Sequence, residues 1–184
     1  MRLRPAMDER YGLFALDLFP SVYTGMALFT QVTNASELRS LIMEGALSAA
    51  LLRPQLVLDP FQLLASANKA VHGLMNESMK TKTVHTEIIF NLSPSNNISE
   101  SFKKFGISDD SQEVLLAVID DRNATSLRAA CDQVKGKLVH LDSLTDLADV
   151  PLVKNLYKVP QDELAISSLL YAVVSRMATK EAMK

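Results

Sequence analysis

Lys69, His72, Lys80, Thr81, Lys82, Thr83 and Thr86 gather ammonium, imidazole and hydroxyl groups into one short stretch of the chain. Such groups suit phosphate oxygens and ribose hydroxyls, and the amides of the neighbouring Asn68 and Asn91 can read a base edge. The alternative is a solvated basic loop, and Glu77 and Glu87 in the same region favour it. A second constellation is His72, His85 and Glu87. Alternation places His85 and Glu87 on one strand face, the pairing that acid–base chemistry needs, although such pairs also sit idle on the wet side of a sheet. The single cysteine, Cys131, has no nearby histidine to activate it and reads as small core filler between Ala130 and Asp132. One cysteine excludes an intramolecular disulfide and a thiolate zinc cluster.

The patterns of the main enzyme classes are missing. No G-x-x-x-x-G-K-[ST], G-x-G-x-x-G, G-x-S-x-G or H-E-x-x-H occurs, and with six glycines no loop is rich enough to cradle a nucleotide phosphate. The expectation is a protein with no catalytic residue, metal or cofactor of its own.

The elements that must position these groups follow from periodicity. Leu13–Phe19 and Val22–Val32 read as two strands joined at Pro20-Ser21. Asn34 and Glu37 form a capping pattern that opens a helix with Leu38, Leu41, Ile42 and Leu47 as its apolar stripe. Asp59-Pro60, with Gln62 two residues on, is the clearest helix start, and Phe61, Leu64, Ala67, Val71, Leu74 and Met75 mark its buried face. Alternation over Val84–Leu92 predicts a central strand. Asn97 and Glu100 open a short helix with Ile98, Phe102 and Phe105 inward. A strand at Val114–Ile119, a helix at Ser126–Val134, a short edge strand at Lys137–Leu141 and helical pieces near Leu144–Leu147 and Leu152–Tyr157 follow. The last helix, about Gln161–Lys180, carries a stripe of Ile166, Leu170, Val173, Val174 and Met177. Leu164, Leu169 and Tyr171 point off that stripe, toward either a second internal contact or a partner protein. Burying each against a partner is worth about 1.5–3 kcal/mol. Strands and helices mixed without βαβ alternation predict an α/β (mixed α+β) single domain, a largely antiparallel sheet flanked by helices.

Composition limits the partners. The chain has 184 residues, 48% hydrophobic and 22% charged, with a formal charge of −2, so any RNA contact must rest on a local patch. The first residues do not form a secretory h-region, and no run approaches a membrane span. Asn-x-Ser/Thr sequons at Asn34, Asn76, Asn91, Asn97 and Asn123 are therefore read as accidental. The expected compartments are cytoplasm and nucleus.

Several longer runs are specific. Val57–Leu64, Ala67–His72, Thr86–Pro94, Asn96–Glu100 and Lys103–Ser108 resemble the small kinase-binding subunit family of the KEOPS/EKC complex. The resemblance runs from near Leu16 to about Lys180 and is weakest between Asp109 and Val150. Residues 1–12 lie outside it as an extension, expected to be disordered, with 13–184 as the single kinase-binding subunit domain. The resemblance implies a mixed α/β domain without catalysis, which binds and regulates a small atypical kinase/ATPase. That complex modifies tRNAs reading codons that begin with A, forming threonylcarbamoyl-adenosine, and some family members engage the tRNA 3′ CCA end. It places a tRNA-facing region at Asn68, Lys69, Lys80, Thr81, Lys82, Thr83 and Thr86, and a kinase-facing surface on the C-terminal helix, where the helical wheel selects Leu164, Leu169 and Tyr171. Other complex subunits would be met only indirectly. The alternative is a stand-alone RNA-binding module with incidental kinase contact.

Overall fold

Strand β1 (Gly12–Ala15) and strand β2 (Tyr23–Thr30) pair antiparallel, with Gly12 opposite Met26 and Ala15 opposite Tyr23. The computed structural model describes residues 10–120 and 122–181. Helix α1 (Ala35–Met43) leads into β3 (Ala50–Leu52), and then α2 (Pro60–Met75), α3 (Val84–Leu92) and α4 (Ile98–Phe105) follow in succession. Strand β4 (Val114–Asp120), helix α5 (Thr125–Cys131) and strand β5 (Lys137–Val139) complete the sheet. The chain ends in α6 (Leu144–Leu147), α7 (Val150–Leu156), α8 (Gln161–Leu164) and α9 (Leu169–Thr179).

The sheet runs β1-β2-β4-β3, with β5 also on β2, and every pairing is antiparallel. Its central strands are covered on both faces. Met26 and Leu28 of β2 join Leu115 and Ala117 of β4 in one core, packed with Leu63 and Val71 of α2, Ile88 of α3 and Val173 of α9. Ala27 and Phe29 join Leu116 and Val118 in the other, with Leu38 of α1 and Leu127 of α5. Burial on both sides explains why these strands read as nearly continuous apolar runs. The expected fold class is the observed one.

Local readings fared differently. Asp59 caps α2 by accepting from the Phe61 amide at 2.7 Å, and Asn97 caps α4 by accepting from the Glu100 amide at 3.0 Å, as their positions predict. Asn34, by contrast, does not cap α1. Its amide donates to the Gln133 carbonyl and accepts from the Lys135 amide, both at 2.9 Å, and so ties α1 to the segment after α5. β3 has no counterpart among the expected elements, and β1 stops at Ala15 where a strand to Phe19 was expected.

The largest correction is at Val84–Leu92, which is helix α3 and not a strand. Thr83 accepts from the Thr86 amide, while the Thr86 hydroxyl accepts from the Thr83 amide, a reciprocal cap that commits the run to a helix. Glu87, Ile88, Asn91 and Leu92 are buried, at the spacing of one helical face. The expected last helix is also two helices: Ser168 accepts from the Tyr171 amide and starts α9 after a break. Ile166, assigned to the core stripe, stands 89% exposed in that break. Of the leading stretch, residues 1–9 lie outside the described residues, and Gly12 begins β1.

Candidate nucleic-acid and partner surfaces

The loop before α3 is built around one buried carboxylate. Glu87, 4% exposed, accepts from the backbone amides of Lys80 and Thr81 and from the Thr81 hydroxyl, at 2.7–3.2 Å. The Thr86 hydroxyl donates to Thr83 O at 2.9 Å and lies 3.0 Å from the Thr81 hydroxyl. The loop is therefore closed by its own polar groups, and the Lys80 and Lys82 side chains are left to solvent.

Beside it runs a groove of about 540 Å³. Ile42, Leu51, Ile89 and Phe102 give it an apolar floor, Arg39, Lys82, Thr83 and Thr86 supply polar groups to it, and Glu44 adds one carboxylate at the α1 end. Arg39 is engaged by Asp109. Lys82 has no carboxylate within 4.0 Å among the described residues. An apolar trough with hydroxyls and one uncommitted ammonium fits a single-stranded nucleic-acid end, whose bases need flat apolar surface and whose phosphates need cations.

Of the seven residues expected to face tRNA, Lys82, Thr83 and Thr86 line this groove, and Lys80 and Thr81 belong to the loop behind it. Asn68 and Lys69 are not among the lining residues. Asn68 accepts from the Leu18 amide at 3.3 Å and donates to the Leu64 carbonyl, and Lys69 meets Glu181 at 3.5 Å. Asn91 is 1% exposed, so it reaches no ligand from the surface. Met43, 79% exposed at the groove, went unnoticed in the sequence, although Gly45 marks the helix end that frees it.

The acid–base constellation dissolves. His85 and Glu87 are on a helix, where a spacing of two points side chains apart. The His85 Nε2 accepts from the Ile119 amide at 3.1 Å, pinning α3 to β4. Cys131 is buried in the second core, and burial pushes its thiol up to about 12, far from a thiolate at neutral pH.

At the other end of the chain, Arg176 holds Glu163 through two parallel hydrogen bonds of 2.8 and 2.7 Å, clamping α8 to α9. Hydrogen bonding to the guanidinium holds the Glu163 carboxyl below its ordinary value, with desolvation acting against it. Of the three residues expected to face the kinase, Leu164 and Leu169 are half-buried against the first core, and Tyr171 is 69% exposed. Ile166 and Tyr171 together give this segment its exposed apolar surface.

The profile of the family described as kinase binding protein CGI-121 matches residues 29–181. The chain belongs to that family. Among CGI-121 relatives, the EKC/KEOPS complex subunit TPRKB of Danio rerio is 40% identical over 167 residues, covering 90% of this chain and 95% of its own. The EKC/KEOPS complex subunit cgi121 of Aspergillus terreus is 32% identical over 142 residues, 73% of each chain. The corresponding subunit of Candida glabrata is 31% identical over 149 residues, 79% of this chain and 84% of its own. The CGI-121 match takes in the groove and the α8–α9 segment and leaves β1 outside. No cluster of His, Cys, Asp and Glu able to hold a metal ion occurs among the described residues.

Proposed function

We propose that this chain is a non-catalytic accessory subunit of the EKC/KEOPS complex. It binds and regulates the small atypical kinase/ATPase and so supports threonylcarbamoyl-adenosine formation on tRNAs reading codons that begin with A. It works in the cytoplasm and nucleus, where that complex would meet its tRNA. The observation that carries this reading is the kinase-binding family match over residues 29–181. The exposed Ile166 and Tyr171 support a kinase contact at α8–α9, because two large apolar side chains on one segment offer area for a partner to bury.

The groove between α1, α3 and α4 is the proposed seat of the tRNA 3′ CCA end. Its apolar floor takes unstacked bases, and Lys82 answers a backbone phosphate. Calorimetric titration against the isolated kinase subunit tests the partner: wild type binds, and folded Tyr171→Glu binds at least about tenfold more weakly. Absence of binding by wild type, with both proteins folded, overturns the reading. Titration with tRNA and with tRNA trimmed of its CCA end tests the groove. Equal affinity for the two removes the groove from the account.

A further inference from the structure

The loop at 93–97, α4, α7 and α9 enclose another cleft, of about 510 Å³, that contains none of the groove residues and neither Ile166 nor Tyr171. Four cations line it, Lys104, Lys158, Arg176 and Lys180, against one carboxylate, Glu100. Pairing removes part of that excess. Lys104 meets Glu100 at 2.6 Å, Arg176 meets Glu163 at 2.7 Å, and Lys69, behind the cleft, meets Glu181 at 3.5 Å. Glu87 is occupied by the loop at Lys80 and Thr81.

Lys158 and Lys180 remain, with no carboxylate within 4.0 Å among the described residues. Lys180 is only 2% exposed, and its ammonium has neutral partners: it donates to the Phe90 carbonyl and sits 3.3 Å from the centre of the Phe90 ring. A buried ammonium without a counter-charge is costly to keep. Burial, helped by the charge of Lys69, draws it down to about 8, even though Glu181 and Glu87 act to raise it. Lys158 holds a left-handed backbone, φ 52°, with its carbonyl accepting from Arg176 at 3.4 Å. Non-glycine residues keep that conformation mainly where surrounding structure imposes it, often at binding sites.

We propose that this cleft binds a small phosphate monoester of about mononucleotide size. Two unmatched cations balance one phosphate dianion, and the volume falls in the range of sites for such ligands, about 300–1,000 Å³. Ser95, Asn96 and Glu100 complete the lining, each held by the protein itself: Ser95 donates to Glu100 at 2.7 Å, and Asn96 donates to the Lys180 carbonyl at 3.0 Å.

The test uses the full chain titrated calorimetrically with AMP, inorganic phosphate and adenosine, alongside the surface variant Lys158→Glu. AMP binds, and Lys158→Glu weakens it by about tenfold or more, as expected for loss of a charge-assisted contact. The Lys180 ammonium, followed by NMR after reductive methylation, titrates at higher pH in the AMP-saturated protein, because an adjacent anion favours the charged form. Inorganic phosphate binding as tightly as AMP upholds the phosphate site and gives the nucleoside no part. Adenosine binding as tightly as AMP, or AMP binding indifferent to Lys158→Glu, overturns the proposal. So does the absence of any heat from AMP and phosphate at millimolar concentration.

Discussion

Around Glu87 the chain turns several polar groups inward, and the Lys80 and Lys82 side chains are released to solvent. Across α8 and α9 the arrangement is inverted. The Arg176–Glu163 clamp takes up one charged pair, and apolar Ile166 and Tyr171 stand exposed beside it. The first arrangement places a few cations on a stiff frame, which suits phosphates at fixed spacing. The second offers area with little polar direction, which suits a protein face that completes its own burial there. One small domain thus carries two kinds of surface, each with its rigidity supplied by a different buried or half-buried carboxylate.

Removing that carboxylate from the first region is the most damaging change to the comparison. Glu87→Gln confronts the Lys80 and Thr81 amides with a competing donor and is expected to cost about 3 kcal/mol in urea unfolding. A loss below about 0.5 kcal/mol would mean that the loop is held by something else. Next comes the pair Ile166→Glu with Tyr171→Glu. This variant is expected to lose kinase affinity by about 100-fold, with a urea midpoint close to wild type, since both side chains are exposed.

A smaller effect sharpens the role of the cap. Thr83→Ala removes the acceptor for the Thr86 amide and is expected to cost about 1 kcal/mol, read as a drop in thermal midpoint. The pH dependence of stability reports on Lys180. Its folded value is lowered from 10.5 to about 8, so between those values the unfolded chain binds more protons than the folded one. Stability therefore rises with pH from about 8 toward 10.5, and is lowest in this respect below 8, where the buried group is charged. Lys180→Met should flatten that rise in a thermal series, whereas an unchanged slope would assign it to another group.

The regions also differ in how far they could be read beforehand. Asp59 and Asn97 announced α2 and α4, because a capping side chain followed by an apolar stripe has few other uses. α3 was illegible as a helix for two reasons. Its nine residues satisfy both a period of two and a helical face, and its cap uses Thr86 where the usual signature has Glu or Gln. That error carried the His85–Glu87 pairing with it. The break before α9 hid for a different reason: Ser167-Ser168 interrupts a run that otherwise keeps helical spacing, so Ile166 was placed inside. Of the site, the loop at Lys80–Thr86 was legible from composition. The groove was not, since its floor combines Ile42, Leu51, Ile89 and Phe102 from four separate elements. Tertiary packing alone brings them together.

Two single substitutions, measured against two ligands, test whether the surfaces are separate. Lys82→Glu should weaken tRNA binding and lower its salt dependence by about one counterion, with kinase affinity unchanged. Ile166→Glu should do the reverse, weakening the kinase and sparing tRNA. If either substitution impairs both ligands equally in a folded protein, the two surfaces are one, and the division of labour described here is wrong.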